Sequence, residues 1–335
     1  MSSTDASAVT DGHEFSQSPD SVHFGHGENG PSCRSKWSSV LTCWKHNYRP
    51  GEGFTLPKGD ILIHAGDLTN QGTRAELQRA LDWITKTDFA VKVVVAGNHD
   101  LSLDTDFTST SKQHENAVPA AEDVEACAKL VKGCADIVYL QHSDGVIDLP
   151  GTSEKIRVFG SPCSPRGRGK QRWAFQYDEH EAEAIWKCVP EDVAILITHT
   201  PPAGYCDRSR HWEEGGCRAL KAALSRIKPV LHVCGHCHEG RGALVLSWEK
   251  NATEIPRVAW TWEDASVASS KKQSLLDLSG KSGNPPGVVP GMETAVVNAS
   301  IMAESFGRGK QKGFHKPIVI DISFARRGES GMDNT

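Results

Sequence analysis

Four short segments of the chain combine polar, metal-binding residue types with a preceding strand-like run. These segments are Gly66-Asp67, Gly97-Asn98-His99-Asp100, Thr198-His199-Thr200 and Gly235-His236-Cys237-His238. The runs before them are apolar and rich in β-branched residues: 60–65 (DILIHA), 91–96 (VKVVVA), 193–198 (VAILIT) and 230–234 (VLHVC). This order constrains the fold, because it places polar side chains just past the carboxyl ends of several strands, where α/β sheets usually bind ligands.

Asp, Asn and His side chains in one cleft suit a pair of divalent ions, since a carboxylate can bridge two ions while amide oxygens and imidazoles complete each shell. Read separately, each segment has an ordinary explanation. Gly66-Asp67 is a common turn, His199 is a typical core histidine, and His236 and His238 also suit a solvated strand face. The four segments together, each after a strand, favour the metal site.

Strand and helix patterns alternate from about residue 60. Residues 73–76 (TRAE) form a capping box that begins a helix. Further helices are predicted over 122–130, 177–187 and 219–227, and strands over 137–140, 145–149, 156–160, 242–248, 257–262, 296–301 and 316–323. The predicted fold class is therefore α/β, a sandwich of two mixed sheets with helices outside.

Three segments lack such patterns. Residues 1–36 are polar and without periodicity, and we expect them to be disordered. Residues 264–292 are rich in Ser, Lys, Gly and Pro, and we expect a flexible insertion within one domain of residues 37–325, followed by a tail of residues 326–335. The run 36–43 (KWSSVLTC) is a poor strand candidate.

Composition indicates an ordinary soluble protein. A chain of 335 residues can bury a large core, and its net charge of −5 creates no overall field that attracts nucleic acid or an anionic membrane. Ten cysteines without an apolar N-terminal segment favour a reducing, cytoplasmic location. The C-x-x-C spacing of Cys234 and Cys237 has no second pair and is read as incidental. The basic cluster 166–170 (RGRGK) is read as a solvated loop, with a phosphate contact as the less favoured alternative.

The four segments resemble the motif set of the calcineurin-like metallophosphoesterase superfamily: D-x-H, GD, GNH(D/E), H and GHxH. The linking segments resemble one branch more closely, the metallophosphoesterase-domain-containing family and its fungal relatives. The matching text is HAGDLTNQGTRAEL, VVVAGNHD, FGSPCSP, WAFQY, ITHTPP and LHVCGHCHEGRG. The resemblance covers roughly residues 43–324.

The resemblance implies a four-layer α-β-β-α sandwich with two divalent metal ions, such as Mn, Fe, Zn or Mg, at one edge of the sheets. It implies these metal ligands: His46, Asp67, Asn98, His199, His236 and His238. Asp67 would bridge both ions. His46 and His238 would serve the first ion, and Asn98, His199 and His236 the second. His99 would position the phosphate or protonate the leaving oxygen, and Asp100 would orient His99.

By the same resemblance, the expected activity is hydrolysis of a small phosphodiester, for example a cyclic nucleotide, by a metal-bound hydroxide. The wording GDLT and GNHD differs from that of the protein Ser/Thr phosphatases, which argues against a phosphoprotein substrate. Neither a nucleic-acid polymer nor a membrane is indicated as a partner.

The chain departs from the family at the first motif. Where D-x-H should stand, it has Trp44-Lys45-His46, and the indole N–H of Trp44 cannot ligate a cation. The literal D-x-H at Asp11-Gly12-His13 has no strand before it and is a poor ligand candidate. Either the first strand has been lost, or the first metal site is weak. A weak first metal site would favour an alternative function, that of a metal- or nucleotide-binding protein with low or no activity. A third possible function is a scaffold that keeps the same fold for interactions.

Overall fold

The computed structural model describes residues 36–42, 56–110, 121–167, 172–210, 215–248, 256–262, 264, 274–280, 287–302 and 314–324. The predictions for residues 1–35, which include Asp11 and His13, fall outside these ranges, as do those for Trp44, His46 and the tail after residue 324.

Strands and helices alternate along the described chain. The strands are β1 (Lys36–Thr42), β2 (Ile61–Ala65), β3 (Val91–Val95), β4 (Val138–Leu140), β5 (Ser143–Asp148), β6 (Lys155–Ser161), β7 (Ser164–Pro165), β8 (Gln176–Tyr177), β9 (Ile195–Thr198), β10 (Leu231–Cys234), β11 (Gly242–Ser247), β12 (Arg257–Trp262), β13 (Ser274–Leu278), β14 (Glu293–Asn298) and β15 (Ile318–Ser323). The α-helices are α1 (Arg74–Thr85), α2 (Thr105–Thr110), α3 (Ala121–Lys132), α4 (Ala182–Lys187) and α5 (Arg218–Ile227). Short 3-10 turns lie at Leu101–Leu103, Glu179–Glu181 and His238–Gly240. Within the described ranges, no helix has the length and apolar character needed to cross a membrane.

The strands form two large mixed sheets. The first sheet has the order β13-β15-β1-β2-β3-β4, and the second has the order β12-β11-β14-β10-β9-β6-β5. In the first sheet, strands β1 to β4 run parallel to one another. In the second sheet, the same is true of the neighbouring strands β14, β10, β9 and β6. Parallel strands bring their carboxyl ends to one edge of a sheet, so the segments after β2, β3, β9 and β10 emerge on the edges where ligands are expected.

The layers follow from the alternation of side chains along each strand. Ile61 and Ile63 of β2 lie in the core between the sheets together with Ile195 of β9. Leu62 of β2 packs instead with residues of α1 and α3, and Leu196 of β9 packs with residues of α4 and α5. Strands covered on both faces must be apolar at every position, which explains the continuous apolar runs in the sequence. The result is the expected α-β-β-α sandwich.

Helix α1 begins at the capping box that the sequence predicts. Thr73 Oγ1 accepts the N–H of Glu76 at 3.3 Å, and Glu76 Oε2 accepts the N–H of Thr73 at 3.2 Å. These reciprocal bonds satisfy two amides that a helix start otherwise leaves unpaired. The predicted apolar face is buried: Leu77, Ala80, Leu81 and Ile84.

Three local predictions are wrong. The run 36–43 supplies β1, which pairs in parallel with β2 and antiparallel with β15, so the first strand is present. The supposed insertion 264–292 contains β13, which pairs in parallel with β15. The helix predicted over 177–187 starts too early: Tyr177 belongs to β8, and a 3-10 turn over Glu179–Glu181 precedes the short α4. In the first two cases, backbone pairing with a neighbouring strand overrides the local sequence pattern.

His232 of β10 is fully buried. Its Nε2 lies 2.8 Å from Oγ1 of Thr198 on β9, whose hydroxyl donates to the carbonyl of Thr200. Nε2 therefore carries the imidazole proton. Burial lowers the pKa of His232 to about 3, so the ring is neutral in the folded protein.

We expect acidification to destabilise the protein partly through His232. The unfolded chain takes up a proton near pH 6.5, whereas the folded chain resists until about pH 3, so the free energy of unfolding falls over this window. His232→Leu removes this contribution of the histidine to the pH dependence of stability. The free energy of unfolding that is lost between about pH 6.5 and pH 5 should therefore be about 2 kcal/mol smaller in the variant. Urea unfolding at both pH values measures it. An identical pH dependence in both proteins would contradict the neutral buried ring.

Candidate metal centre

The four ligand-bearing segments meet at one edge of the sandwich. Asp67 and Asn98 follow β2 and β3 of the first sheet, while His199 and His236 follow β9 and β10 of the second. Asp67 and His236 have left-handed backbones, with φ of 59° and 61°. Residues with a side chain adopt this conformation rarely and at some cost, so its presence at two of the four positions indicates a constrained site.

Gly66 and Gly97 allow the loops to approach each other. A Cβ atom on Gly66 would lie 2.9 Å from the carbonyl oxygen of Ala96, and one on Gly97 would lie 2.7 Å from Cε1 of His199. Gly66 also has φ of 103°, which favours glycine on its own. Any side chain at either position would push the ligand loops apart.

His199 connects the two sheets. Its side chain is fully buried, and Nδ1 lies 3.0 Å from the carbonyl oxygen of Ala65 at the end of β2. A carbonyl oxygen only accepts, so Nδ1 carries the proton and Nε2 keeps its lone pair. That lone pair faces Oδ1 of Asn98 at 2.9 Å and Oδ1 of Asp67 at 3.4 Å.

The amide oxygen of Asn98 lies at the centre of the cluster. It is 2.9 Å from Nε2 of His199 and 2.9 Å from Nδ1 of His236, and these two nitrogens are 3.1 Å apart. When only His, Cys, Asp and Glu are counted, the described residues contain no group of three placed to hold a metal ion. The convergence therefore depends on Asn98.

The cluster fits a divalent cation. Asp67 Oδ1, Asn98 Oδ1 and His199 Nε2 all present lone pairs, which repel one another in a buried site unless a positive charge lies among them. Ligand atoms ~2.1 Å from an ion in an octahedral shell lie about 3 Å from their neighbours. The observed separations of 2.9, 3.1 and 3.4 Å agree with that spacing.

Two of the six predicted metal ligands, His238 and His46, are not among the residues whose side-chain atoms lie within 3.4 Å of one another in this cluster. His238 begins the 3-10 turn two residues beyond His236, and it is 9% exposed. Its role as a ligand stays a prediction. The same holds for His46, which lies outside the described residues. The structure thus brings together Asp67, Asn98, His199 and His236.

His99 lies beside the cluster and is half-buried. Its backbone N–H donates to Oδ1 of Asp67 at 3.1 Å, and its Nδ1 lies 2.8 Å from the carbonyl oxygen of Asn70. The carbonyl holds the proton on Nδ1, so Nε2 is the nitrogen that can exchange a proton with a bound molecule. The ring packs against Trp173, with centroids 4.2 Å apart and an interplanar angle of 44°.

The prediction that Asp100 orients His99 is wrong. The buried carboxylate accepts the N–H groups of Leu68, Thr69 and Gly97 at 3.1, 2.7 and 2.7 Å, and the hydroxyl of Thr69 at 2.8 Å. Among the described residues these groups, and not the His99 ring, are its hydrogen-bond donors. Asp100 therefore fastens the loop after β2 to the loop after β3, and the Asn70 carbonyl orients the imidazole instead.

The carboxyl group of Asp100 is also electrostatically unusual. Burial, together with the nearby charge of Asp67, raises its pKa to about 7, although the bonds from Gly97 and Thr69 act in the opposite direction. Sequence reasoning did not identify Thr69 or Trp173 as parts of the site. Their segments, DLTN and WAFQY, are part of the sequence that resembles the family. Thr69 and Trp173 are not of the residue types that usually bind metal ions, so neither was a candidate.

Two other sequence features have structural explanations. The thiols of Cys234 and Cys237 donate to different carbonyls, those of Val297 and Gly215, which supports reading their spacing as incidental. Arg166, the first residue of the basic cluster, pairs with Asp178 at 3.3 Å, as suits a surface loop.

The model of the calcineurin-like phosphoesterase family matches residues 8–240, and the chain belongs to this family. The match includes both candidates for the first motif, Asp11-Gly12-His13 and Trp44-Lys45-His46.

Curated relatives resemble the chain over about three fifths of its length. It is 36% identical over 207 residues to a UPF0046 protein of Caenorhabditis elegans, covering 61% of this chain and 65% of the relative. It is 33% identical over 213 residues to human metallophosphoesterase domain-containing protein 1, and the match covers 61% of this chain and 62% of the human protein. A probable rhamnogalacturonate lyase C of Emericella nidulans is 36% identical over 207 residues, which are 61% of this chain and 17% of that protein. The chain thus spans less than two thirds of the length of each relative.

Gly97→Ala should disrupt the cluster by steric contact with Asp67 and His199. We expect the affinity for Mn²⁺ to fall at least about tenfold, because misplaced ligands lose much of the binding free energy. Gly145→Ala on β5 is the matched control, since its new Cβ would meet only movable side chains, the nearest atom being Cδ2 of Leu140 at 3.3 Å. Calorimetric titration, with circular dichroism to confirm folding, makes the comparison. Native affinity in Gly97→Ala would show that the loops do not need this close approach.

Proposed function

We propose that this protein is a metal-dependent phosphoesterase that hydrolyses a small phosphodiester. The observation that carries the proposal is the convergence of Asn98 Oδ1, His199 Nε2, His236 Nδ1 and Asp67 Oδ1, all between 2.9 and 3.4 Å from a neighbour in the set. Membership of the calcineurin-like phosphoesterase family supports the reaction class.

The proposed cofactor is a pair of divalent ions. Asn98, His199 and His236 would hold one ion, Asp67 would be shared, and His238 and His46 would hold the other. Bound ions supply the positive charge that a phosphate anion and an attacking water require. The fixed tautomer of His199 supports this role, because its Nε2 offers a lone pair towards the cluster.

His99 is proposed to handle the proton of the leaving oxygen. The Asn70 carbonyl and the Trp173 ring fix the imidazole plane, and the bond from the His99 amide to Asp67 fixes its distance from the cluster. An imidazole held in this way can protonate a leaving group without a reorganisation of the side chain. Asp100 contributes by holding the two ligand loops together rather than by contact with the substrate.

The substrate class is proposed to be a small phosphodiester, with a cyclic nucleotide as the example. The sequences GDLT and GNHD differ from the corresponding motifs of the protein Ser/Thr phosphatases, which supports a small molecule rather than a phosphoprotein as the substrate. The net charge of −5 supports neither a nucleic-acid polymer nor a membrane as a partner. A cytoplasmic location is part of the proposal, and it is supported by the free thiol state of every cysteine that the structure describes.

His99→Ala should separate catalysis from metal binding. We expect turnover of bis(4-nitrophenyl) phosphate to fall about 10²–10⁴-fold while metal content stays at the native level, because the ring is placed to transfer a proton and not to ligate. Asp67→Ala should remove both metal and activity, since one carboxylate serves both ions. Elemental analysis alongside the kinetic assay makes the distinction. A metal-free His99→Ala protein would assign this ring to the ligand set.

The alternative function is a metal- or nucleotide-binding protein with low or no activity. The observation that favours it is the position of Trp44 in the sequence. Strand β1 ends at Thr42, in register with His64 of β2, and Trp44 follows two residues later, where the family places an aspartate. Losing an anionic ligand weakens a hard cation site most, so the first ion would be held loosely.

Trp44→Asp tests this alternative. If residue 44 belongs to the first site, the new carboxylate should raise the retained metal from about one ion per chain towards two and increase phosphodiester turnover. Trp44→Asn is the matched control, because it removes the same indole and supplies a neutral amide oxygen. A native chain that already retains two ions through dialysis against chelator would exclude the weak-site alternative.

A further inference from the structure

A fifth strand ends at the same edge of the sandwich as the four ligand-bearing segments. Strand β14 runs parallel to β10, with Asn298 in register with Cys234, and each strand ends at that residue. Asn298 is fully buried. Its side chain is directed to backbone groups of the loops that follow β9 and β10, which carry His199 and His236.

The amide of Asn298 has a fixed orientation. Its Nδ2 donates to the carbonyl oxygens of Cys206 and Cys237, both at 2.8 Å, and its Oδ1 accepts the N–H of Ser300 at 3.0 Å. A flipped amide would place its oxygen against two carbonyl oxygens, so the contacts themselves decide which atom is the nitrogen. Both hydrogens of Nδ2 are thereby used, and the side chain joins the loop after β9 to the loop after β10.

His236 lies at the centre of a strained turn. The N–H of Cys237 donates to the carbonyl oxygen of Gly235 at 2.6 Å, and His236 between them has φ of 61°. This is the pattern of a γ-turn with positive φ, which is rare and costly for a residue with a side chain. Such a turn persists only where the surrounding structure holds it.

The carbonyl of Cys237 directly follows this turn, and it is the group through which the sheet holds the loop. It accepts the N–H of Gly240 at 3.0 Å and the amide of Asn298 at 2.8 Å. The bond from Gly240 lies within the same loop and moves with it. The bond from Asn298 comes instead from the neighbouring strand β14 and ties the loop to the sheet.

The second bond of Nδ2 packs the loop after β9 against the same turn. Cys206 also has a left-handed backbone, with φ of 55°. Its carbonyl oxygen lies so close to Gly240 that a Cβ atom on this glycine would overlap it. Removal of the Asn298 amide would take a donor from two carbonyl groups in this tightly packed region and would release the two loops from each other.

We propose that Asn298 is a positioning residue of the metal centre. By holding the Cys237 carbonyl, it keeps His236 in the γ-turn that places Nδ1 2.9 Å from Oδ1 of Asn98. The amide of Asn298 is occupied by backbone groups, so it acts through His236 and is not itself a ligand. This role rests on the proposed metal-dependent function, and it makes the metal site depend on a side chain of β14.

Asn298→Leu tests this role, because leucine has a similar size and branching but no donor. Thr294→Val is the matched control at the opposite end of β14, since it removes a buried hydroxyl that donates to the Pro229 carbonyl at 2.6 Å and accepts the indole N–H of Trp248 at 2.9 Å. Both variants should lose stability, but we expect only Asn298→Leu to lose Mn²⁺ affinity, by about 10–100-fold.

Calorimetric titration with Mn²⁺, well below the melting temperature of each variant, makes the comparison. Equal Mn²⁺ affinities in Asn298→Leu and Thr294→Val would overturn the proposal, because the amide would then contribute to stability alone. If Asn298→Leu does not fold, Asn298→Ala takes its place, since alanine removes the same donor without introducing a new contact.

A double-mutant cycle with His236→Ala shows whether Asn298 acts through that imidazole. In the His236→Ala background we expect Asn298→Leu to lower Mn²⁺ affinity further by no more than about twofold, because the ligand that it positions is already absent. A larger further loss would show that Asn298 acts through another group and would overturn the proposal. If His236→Ala binds no measurable Mn²⁺, the comparison with Thr294→Val decides it.

Failure of this role can be distinguished from failure of the proposed function. A native protein that binds Mn²⁺ without hydrolysing bis(4-nitrophenyl) phosphate would overturn the function, and the affinities of the variants would still decide the role of Asn298. A native protein that hydrolyses this compound, together with native Mn²⁺ affinity in Asn298→Leu, would overturn the positioning role alone.

Discussion

The hydrogen bond between Nδ1 of His199 and the carbonyl oxygen of Ala65 is the interaction on which the site depends. It crosses from one sheet to the other at 3.0 Å, in a place with no access to water. The bond sets the separation of the two strand ends and also selects the tautomer that points a lone pair at Asn98 and Asp67. A single contact therefore contributes to both the geometry of the sandwich edge and the chemistry that the edge can support.

The rest of the site is arranged around that contact by backbone rather than by side-chain interactions. Gly66 and Gly97 bring the loops together, and the Asp100 carboxylate fastens them through amide groups. Such a framework changes little when a ligand binds, which is the kind of preorganisation that metal centres and catalytic groups need. The buried carboxylate, which appears in the sequence as a catalytic candidate, is better understood as part of this framework.

The sequence predicts the positions where chemistry is concentrated better than it predicts the partners of each group. Asp67, Asn98, His199 and His236 could be identified because each follows a continuous apolar run, and a doubly covered strand produces such a run directly. The role of Asp100 could not be predicted, because the donors from Leu68 and Thr69 lie 32 and 31 residues away, and three of its four donors are backbone amides, which carry no sequence signal. Strands β1 and β13 were missed for a related reason. Their place in the sheet comes from hydrogen bonds to β15, and their own residues are too polar or too few to show a period.

The pairing of β1 with β15 has a consequence for how the protein is made. The first described strand lies in the interior of its sheet, between β2 and a strand that is synthesised about 280 residues later. Until β15 emerges from the ribosome, one edge of β1 has open backbone groups, and the inter-sheet core lacks the isoleucines of β15, which are Ile318, Ile320 and Ile322. The second sheet contains no strand from this late segment except β14, so most of it can assemble earlier. Loss of the last few dozen residues would therefore leave an exposed strand edge in the middle of the first sheet, with self-association between nascent chains as the expected result.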